Sequence, residues 1–399
     1  MNFDDTPEEA AYREQVRSYI ADHRDQLISH GDTERREGDL SKARGSQRVM
    51  WEGGYVGITW PKEVGGQGGS PMQQAIVDQE LGKAGVPGHV GLIGIGMCGP
   101  TVIHHGSDDQ KQRYLKRLLS CEDIWCQLFS EPASGSDLAA LRTKAVKEGD
   151  SWRINGQKVW TTLAQYADYG ILLTRTDPTL AKHKGLTMFV VDMKAPGVTV
   201  RPLRQMSGSA EFNEVFFDDV IVHDSERLGE VNDGWRVGLT TLMSERLTLG
   251  GGGGEMGISG GAVASYIGTQ IGSLSTDRQA LVRQDFGRIW TQLLATRYTG
   301  YRQLSAISKG AMPGPEASAG KLAGTKAGRQ LADLAVRVSG EGGVWFEGPW
   351  QASQAGLPGL AIAGGTDEVL RNVIGERVLG LPAEPRADKG LSFEESVKL

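Results

Sequence analysis

Residues 152–160 read Trp152-Arg153-Ile154-Asn155-Gly156-Gln157-Lys158-Val159-Trp160 and mark the point where the sequence pattern becomes strand-like. The Asn155-Gly156 pair, flanked by apolar residues, is typical of the two-residue turn of a β-hairpin, in which both central residues need a positive φ. Short strand-like runs, separated by Pro, Gly and Asp, follow at 170–174, 186–191, 198–200 and 215–222. The pattern predicts a compact β domain over residues 122–229.

Helical patterns lie on both sides of this β block. Thr6-Pro7-Glu8-Glu9 combines an N-cap threonine, a proline at the first helical position and a capping-box glutamate. Later segments lack strand alternation and are rich in good helix formers; they cover 263–272, 281–307 and 317–338, and a last helix is predicted from Thr366 to about Leu379. We therefore expect an α+β fold with an N-terminal α-helical domain (1–121), the central β domain (122–229), a C-terminal helical domain (230–383) and a loosely held tail (384–399).

The composition excludes several classes of protein. Glycine contributes 56 of the 399 residues, but without the Gly-X-Y period of collagen. The net charge is −6 and no long basic run occurs, which argues against a nucleic-acid partner. Seven histidines and three cysteines lack metal-ligand spacing, and so sparse and odd a set of cysteines fits a reducing compartment. We expect a cytoplasmic protein with no metal and no membrane span.

Two short motifs known from enzymes occur in this glycine-rich chain and are rejected on their context. Residues 94–99 fit the dinucleotide-binding pattern G-x-G-x-x-G, but no parallel strand precedes them and no βαβ pattern surrounds them. Residues 257–261 fit the hydrolase pattern G-x-S-x-G, but the last histidine is His223, so no histidine follows the serine. Neither a dinucleotide turn nor a hydrolase triad is predicted.

Six segments share their order and spacing with one known family. They are 60–68 (WPKEVGGQG), 130–138 (SEPASGSDL), 155–160 (NGQKVW), 215–220 (VFFDDV), 245–247 (ERL) and 365–368 (GTDE). Together they resemble the acyl-CoA dehydrogenase family over nearly the whole chain. The resemblance implies an acyl-CoA dehydrogenase-like fold with a central β-barrel-like domain and a C-terminal four-helix bundle, and FAD bound between these two domains.

The family's chemistry explains the residue types. Desaturation of an acyl-CoA thioester needs a base for the α-proton, an acceptor for the β-hydride, which is flavin N5, and hydrogen-bond donors on the thioester carbonyl. By resemblance, Ser130, Trp160 and Thr162 contact the flavin, and Ser136 lies near the bound acyl-CoA. Thr366 and Glu368 also match cofactor-contacting positions. Ordinary alternatives remain open. They are turn residues for the two serines, strand packing for Trp160, an N-cap for Thr366 and an acid favoured by the helix dipole for Glu368.

The base departs from the family's commonest pattern. Many members have glutamate just before the Gly-Thr of the last helix, where this chain has Gly364. In another branch the base comes from the first helix of the C-terminal domain, and Glu245 matches that position. We expect Glu245 to be the base while the Gly364 backbone N–H polarises the thioester. The alternative for Glu245 is a surface glutamate paired with an arginine. Gly250–Gly254, shortly after Glu245, either widen the acyl pocket or interrupt the helix.

A second departure concerns the cofactor's pyrophosphate. The family's Arg-x-x-Phe-Gly segment is expected near 272–281, which lacks it, and Asp285-Phe286-Gly287 comes later, inside a predicted helix. This pattern resembles actinobacterial dehydrogenases that act on sterol side chains or other bulky acyl-CoAs, and some of these enzymes are heteromers. We therefore expect a dimer or tetramer, possible pairing with a paralogous subunit, and electron transfer to an electron-transfer flavoprotein. The alternatives are a partly or non-catalytic subunit, or an oxidase or monooxygenase of the same superfamily.

Overall fold

A computed structural model describes residues 4–28, 39–250, 260–310, 314–315, 317–345 and 348–398. The chain divides into two compact units. Residues 1–203, 210–244 and 386–399 belong to the first unit, and residues 204–209 with 245–385 belong to the second. The N-terminal helices and the β-sheet both lie in the first unit, so their separation into two domains stays a prediction.

The order of elements is helices, then strands, then helices. The first helices are α1 (Pro7–Asp22), α2 (Arg24–Leu27), α3 (Ser41–Glu52), α4 (Pro71–Ala84), α5 (Gly99–His105) and α6 (Asp108–Leu119). The strands are β1 (Trp125–Leu128), β2 (Lys144–Glu148), β3 (Ser151–Thr162), β4 (Tyr169–Arg175), β5 (Leu186–Asp192), β6 (Val198–Leu203), β7 (Phe212–His223) and β8 (Arg227–Leu228). The later helices are α7 (Gly234–Gly250), α8 (Gly260–Gln270), α9 (Thr276–Ser308), α10 (Ala317–Val338), α11 (Pro349–Gly356), α12 (Asp367–Val373) and α13 (Phe393–Ser396). The predicted α+β class is confirmed.

Local signals explain most of these boundaries. Thr6 caps α1 with the predicted capping box, since its side chain accepts from the Glu9 amide and Glu9 reaches back to the cap. Thr366 likewise caps α12 by accepting from the Val369 amide. The rejected motif at 94–99 forms a π-helical turn over Gly94–Cys98 that leads into α5, and no strand directly precedes it.

The eight strands form one sheet in the order β6-β7-β3-β2-β4-β5-β8, with β1 beside β4. The hairpin predicted at Asn155-Gly156 is wrong, because β3 continues through both residues. The turn lies earlier, at Gly149-Asp150, where Gly149 has a φ of 60° and Glu148 pairs with Ser151. Gly156 instead forms a β-bulge with a φ of 153°, where an added Cβ would lie 2.4 Å from the Thr143 hydroxyl.

Each unit has its own apolar core. In the first unit the helices pack through residues such as Val16, Ile76 and Leu115, and one face of the sheet contributes Ile171 and Met188 to the same cluster. In the second unit α8, α9 and α10 pack through a separate set, which includes Val263, Ile267, Ile289, Leu331 and Leu334. In place of the loosely held tail that we expected, residues 386–398 belong to the first unit, and Phe393 is buried there.

Candidate active site

Ser130 lies between β1 and a tight turn formed by residues 131–134. Glu131 and Ser134 exchange two backbone hydrogen bonds, of 2.9 and 3.0 Å, across this turn. The Ser130 carbonyl accepts from the Val159 amide at 2.8 Å, which ties the turn to β3. The predicted flavin contacts Ser130, Trp160 and Thr162 are therefore held on neighbouring segments of one unit.

A buried ion pair supports this turn. The Lys158 Nζ is 2.9 Å from Glu131 Oε1, with side-chain exposures of 0% and 7%, and it also donates to the Phe129 carbonyl at 2.9 Å. Burial lowers the pKa of Lys158 to about 8, although Glu131 opposes the shift. Burial alone would raise the pKa of Glu131, but Lys158 and the amides of Arg142 and Thr143 outweigh it and hold that pKa below its ordinary value.

Trp160 adopts a backbone conformation that is costly for its residue type. Its φ is 60°, in the left-handed region, which costs an L-residue roughly 1–2 kcal/mol. The strain coincides with a register shift between Lys158 and Thr161 in the pairing of β3 with β7. The indole is 60% exposed and meets Phe212 edge-on at 6.1 Å between ring centroids. An exposed aromatic side chain on strained backbone is typical of a binding surface.

A buried amide holds this bulge from the neighbouring strand. Asn213 of β7 is 0% exposed, and its Nδ2 donates to the carbonyl of Thr161 at 3.0 Å and to that of Glu211 at 3.2 Å. The Leu163 amide donates to the same Glu211 carbonyl at 2.7 Å. These bonds fix the chain on both sides of Thr162, a half-buried residue at the end of β3.

Ser136 lies in the loop that follows the turn, and its side chain is exposed. The loop is held by its neighbours. The Ser134 hydroxyl donates to the Asp137 carbonyl at 2.6 Å, and the Asp137 carboxylate pairs with Lys182 at 2.8 Å. Ser136 therefore projects from an anchored loop of the first unit.

The second unit contains the other group of predicted residues. Gly364 and Gly365 have φ values of 65° and 88°, so both occupy the left-handed region that favours glycine. The Lys321 Nζ, largely buried, donates to the Gly365 carbonyl at 3.0 Å and lies 3.2 Å from Asp367 Oδ1. This lysine fixes the turn that begins at Gly364 and ends at the Thr366 cap of α12.

The remaining predicted residues differ in exposure. Glu368 is exposed on the first turn of α12, where its carboxylate is 3.6 Å from Arg371. Glu245 is half-buried on α7. The proposed acyl-pocket glycines lie outside the described residues from Gly251 to Gly254, as does the serine of the rejected hydrolase motif. The predicted residues thus form two groups, Ser130, Ser136, Trp160 and Thr162 in one unit, and Glu245, Gly364, Thr366 and Glu368 in the other.

Sequence reasoning missed several supporting residues. Three of them are Lys158, Asn213 and Lys321. Each donates a hydrogen bond to a partner that is 27 to 52 positions away in the chain, and no local sequence pattern indicates such a pair. Residues 283–287 read Arg283-Gln284-Asp285-Phe286-Gly287, so an Arg-x-x-Phe-Gly pattern is present after all. It lies inside α9, with Arg283 exposed and Asp285 paired with Arg288 and Arg337.

Two absences hold for the part of the chain that the structure describes. No group of three or more His, Cys, Asp or Glu residues is arranged there to bind a metal ion. Within the same ranges, no helix combines the length and apolar character that crossing a bilayer requires.

Comparison with known proteins identifies the family. The sequence matches the N-terminal domain of acyl-CoA dehydrogenases over residues 6–122, their middle domain over 126–220 and their C-terminal domain over 232–379. The chain belongs to the acyl-CoA dehydrogenase family, an oxidoreductase family, and the predicted resemblance is confirmed.

Several similar relatives are mycobacterial acyl-CoA dehydrogenases. The acyl-CoA dehydrogenase IpdE1 of Mycobacterium tuberculosis is 34% identical, with 94% of this chain and 98% of that protein covered. FadE34 of the same organism is 40% identical over 84% of this chain, but the chain spans only 46% of its length. Among solved structures, the ChsE4-ChsE5 complex from Mycobacterium tuberculosis has a TM-score of 0.80 at 30% identity, covering 96% of this chain and 100% of that one. The Tcur3481-Tcur3483 steroid dehydrogenase has a TM-score of 0.81 at 28% identity, covering 96% and 100%.

Proposed function

We propose that this protein is an FAD-dependent dehydrogenase that desaturates an acyl-CoA thioester between Cα and Cβ. The observation that carries the proposal is the exposed Trp160 indole on strained backbone. Trp160 directly follows Val159, whose amide donates to the Ser130 carbonyl, so the indole lies on a segment that is bound to Ser130. An aromatic face and a nearby hydroxyl fit a planar, hydrogen-bonding ring system such as a flavin. Ser130, Trp160 and Thr162 would hold FAD, and FAD when bound supplies the acceptor for the hydride that leaves Cβ.

Glu245 is the proposed base. Its carboxylate takes the proton from Cα while the hydride leaves Cβ, so that the C–C single bond becomes a double bond and the substrate loses two hydrogens in total. The Gly364 N–H polarises the thioester carbonyl and stabilises the charge that develops on its oxygen. Two features support this division of roles. Glu245 is half-buried, and position 364 has a left-handed backbone in which a glutamate would be strained.

The Glu245→Gln variant tests the base. We expect normal flavin content, because the change is isosteric, and a loss of about 10²–10⁴-fold in single-turnover flavin reduction by acyl-CoA. Glu341→Gln, at an exposed glutamate of the same unit, is the control and keeps the wild-type rate. Rapid reduction of the Glu245→Gln flavin would assign the base to another residue.

A second function is favoured by Gly364, which has no carboxylate, and by the assemblies of two related structures. The similar ChsE4-ChsE5 and Tcur3481-Tcur3483 structures each contain two different chains. By that similarity, this chain would be a partly or non-catalytic subunit that completes a paralogue's site. Purified alone, such a subunit should be colourless, whereas the proposed dehydrogenase should be yellow. For the dehydrogenase, native mass measurement should also give a dimer or tetramer. Peroxide release during turnover would instead indicate an oxidase.

We infer a bulky acyl group, such as a sterol side chain, as the substrate. The support is the similarity to the Tcur3481-Tcur3483 steroid dehydrogenase. Comparison of kcat/KM for steroid side-chain and straight-chain CoA esters tests the inference, with the steroid ester preferred. Reduction of an electron-transfer flavoprotein, added in place of a dye, tests the proposed electron acceptor.

A further inference from the structure

Residues 386–398 dock on the connection between β4 and β5. The Phe393 amide donates to the Leu180 carbonyl at 2.8 Å, and the Glu394 amide donates to the Pro178 carbonyl at 3.2 Å. Ser392 caps the short helix α13 by accepting from the Glu395 amide. The first turn of α13 is therefore bound through its backbone to a loop more than two hundred positions earlier in the chain.

An ion-pair bridge extends from this segment to the loop that carries Ser136. Lys182 lies between two carboxylates, with its Nζ 2.8 Å from Asp137 Oδ2 and in contact with Asp388 Oδ2. The side chains of Lys182 and Asp388 are only 14% and 18% exposed, whereas Asp137 is 57% exposed. Lys182 and Arg386 hold the pKa of Asp388 at about 2, so its carboxylate is ionised at neutral pH. Asp388 thus fixes the lysine that anchors the loop.

A second link runs through Arg175, at the end of β4. The Phe393 ring covers its guanidinium, with 3.9 Å between the guanidinium carbon and the ring centroid. The same guanidinium donates to the backbone carbonyls of Ala139, of Leu141 at 3.4 Å and of Lys182 at 2.7 Å. Because Phe393 shields these bonds from water, they are stronger than they would be at an exposed site.

Both links end in residues 134–141, and Ser136 lies within them. We propose that residues 386–398 form a brace that positions this loop for acyl-CoA, with Asp388 and Phe393 as positioning residues. The brace itself follows from the contacts above, whereas its effect on acyl-CoA binding rests on the proposed function. Loss of either side chain should leave the flavin contacts of Ser130 and Trp160 in place.

The test uses the full chain and two variants, Asp388→Asn and Phe393→Ala. Lys398→Gln, an exposed change on the same segment, is the matched control. Hydrogen exchange of the backbone amides in 134–141 should become about tenfold faster in both variants and stay unchanged in the control, because the charged hydrogen bonds that close the loop are weakened. Unchanged exchange in both variants overturns the brace.

Kinetics test the functional part. We expect KM for acyl-CoA to rise several-fold in Asp388→Asn and Phe393→Ala, while kcat and flavin content stay at wild-type values. A general loss of folding would instead lower flavin content and kcat together, and that result overturns the positioning role. A wild-type KM in a variant whose loop exchanges faster overturns it as well. If acyl-CoA fails to reduce the wild-type flavin, the proposed function fails, but the exchange measurement still decides whether the brace exists.

Discussion

The Lys158→Met substitution should destabilise the first unit strongly. Lys158 is fully buried, and its Nζ binds both the Glu131 carboxylate and the Phe129 carbonyl at 2.9 Å. Methionine fills a similar volume but leaves the Glu131 charge buried with only its two backbone amide donors. Removal of one partner of a buried ion pair costs about 3–5 kcal/mol. For a unit of this size that corresponds to a fall in Tm of about 6–20 °C.

Thermal unfolding followed by circular dichroism at pH 7 measures this effect. Lys144→Met replaces an exposed lysine on the adjacent strand and should leave Tm nearly unchanged. The double variant Lys158→Met/Glu131→Gln removes the orphaned charge, so it should lose less stability than the two single variants added together. A Tm for Lys158→Met within 2 °C of wild type, or strict additivity in the double variant, would refute the reasoning.

Three further predictions concern the first unit. Burial raises the pKa of the thiols of Cys98 and Cys126, and it raises the pKa of Cys121 to about 11. A disulfide reagent at pH 8 should therefore modify none of the three thiols in the native protein and all three in guanidinium. Fast modification of the native protein would contradict this. Trp160→Gly relieves the left-handed strain that Trp160→Ala retains, so the glycine variant should be the more stable of the two by about 1–2 kcal/mol in urea titration. Both variants should release FAD more readily than the wild type. Equal stabilities of the two variants would exclude backbone strain at this position. Because the folded-state pKa of Glu131 is lowered, its stabilising contribution is complete above its unfolded pKa of about 4.3 and is lost as the pH falls through the folded value. Tm measured from pH 7 to 3 should therefore fall less steeply in Glu131→Gln than in wild type, and parallel curves would count against the assignment.

The sequence predicted elements whose signals are local. The sequence predicts the Thr6 cap and a helix start at Thr366 because a side-chain oxygen and an amide three residues later lie within one helical turn. The sequence predicts the strands at 170–174 and 186–191 because each is a short, mostly apolar run between turn residues.

What the sequence could not predict depends on distant partners. Asn155-Gly156 and Gly149-Asp150 both satisfy turn chemistry, and the choice between them is made by the pairing of β3 with β7 and by the close approach of Thr143 to Gly156. The tail gave no sign of order because Asp388 and Phe393 find their partners about two hundred positions earlier. The candidate site was predicted from resemblance alone, since its strain at Trp160 arises from a register shift that no local pattern encodes.

The visible spectrum of the isolated chain, recorded anaerobically before and after acyl-CoA is added, tests the central claim most directly. The account predicts a yellow protein with a flavin band that bleaches on addition of a bulky acyl-CoA. The Glu245→Gln variant should be equally yellow and should not bleach. A colourless chain, or a flavin that no acyl-CoA reduces, would contradict the claim that this protein is itself a dehydrogenase.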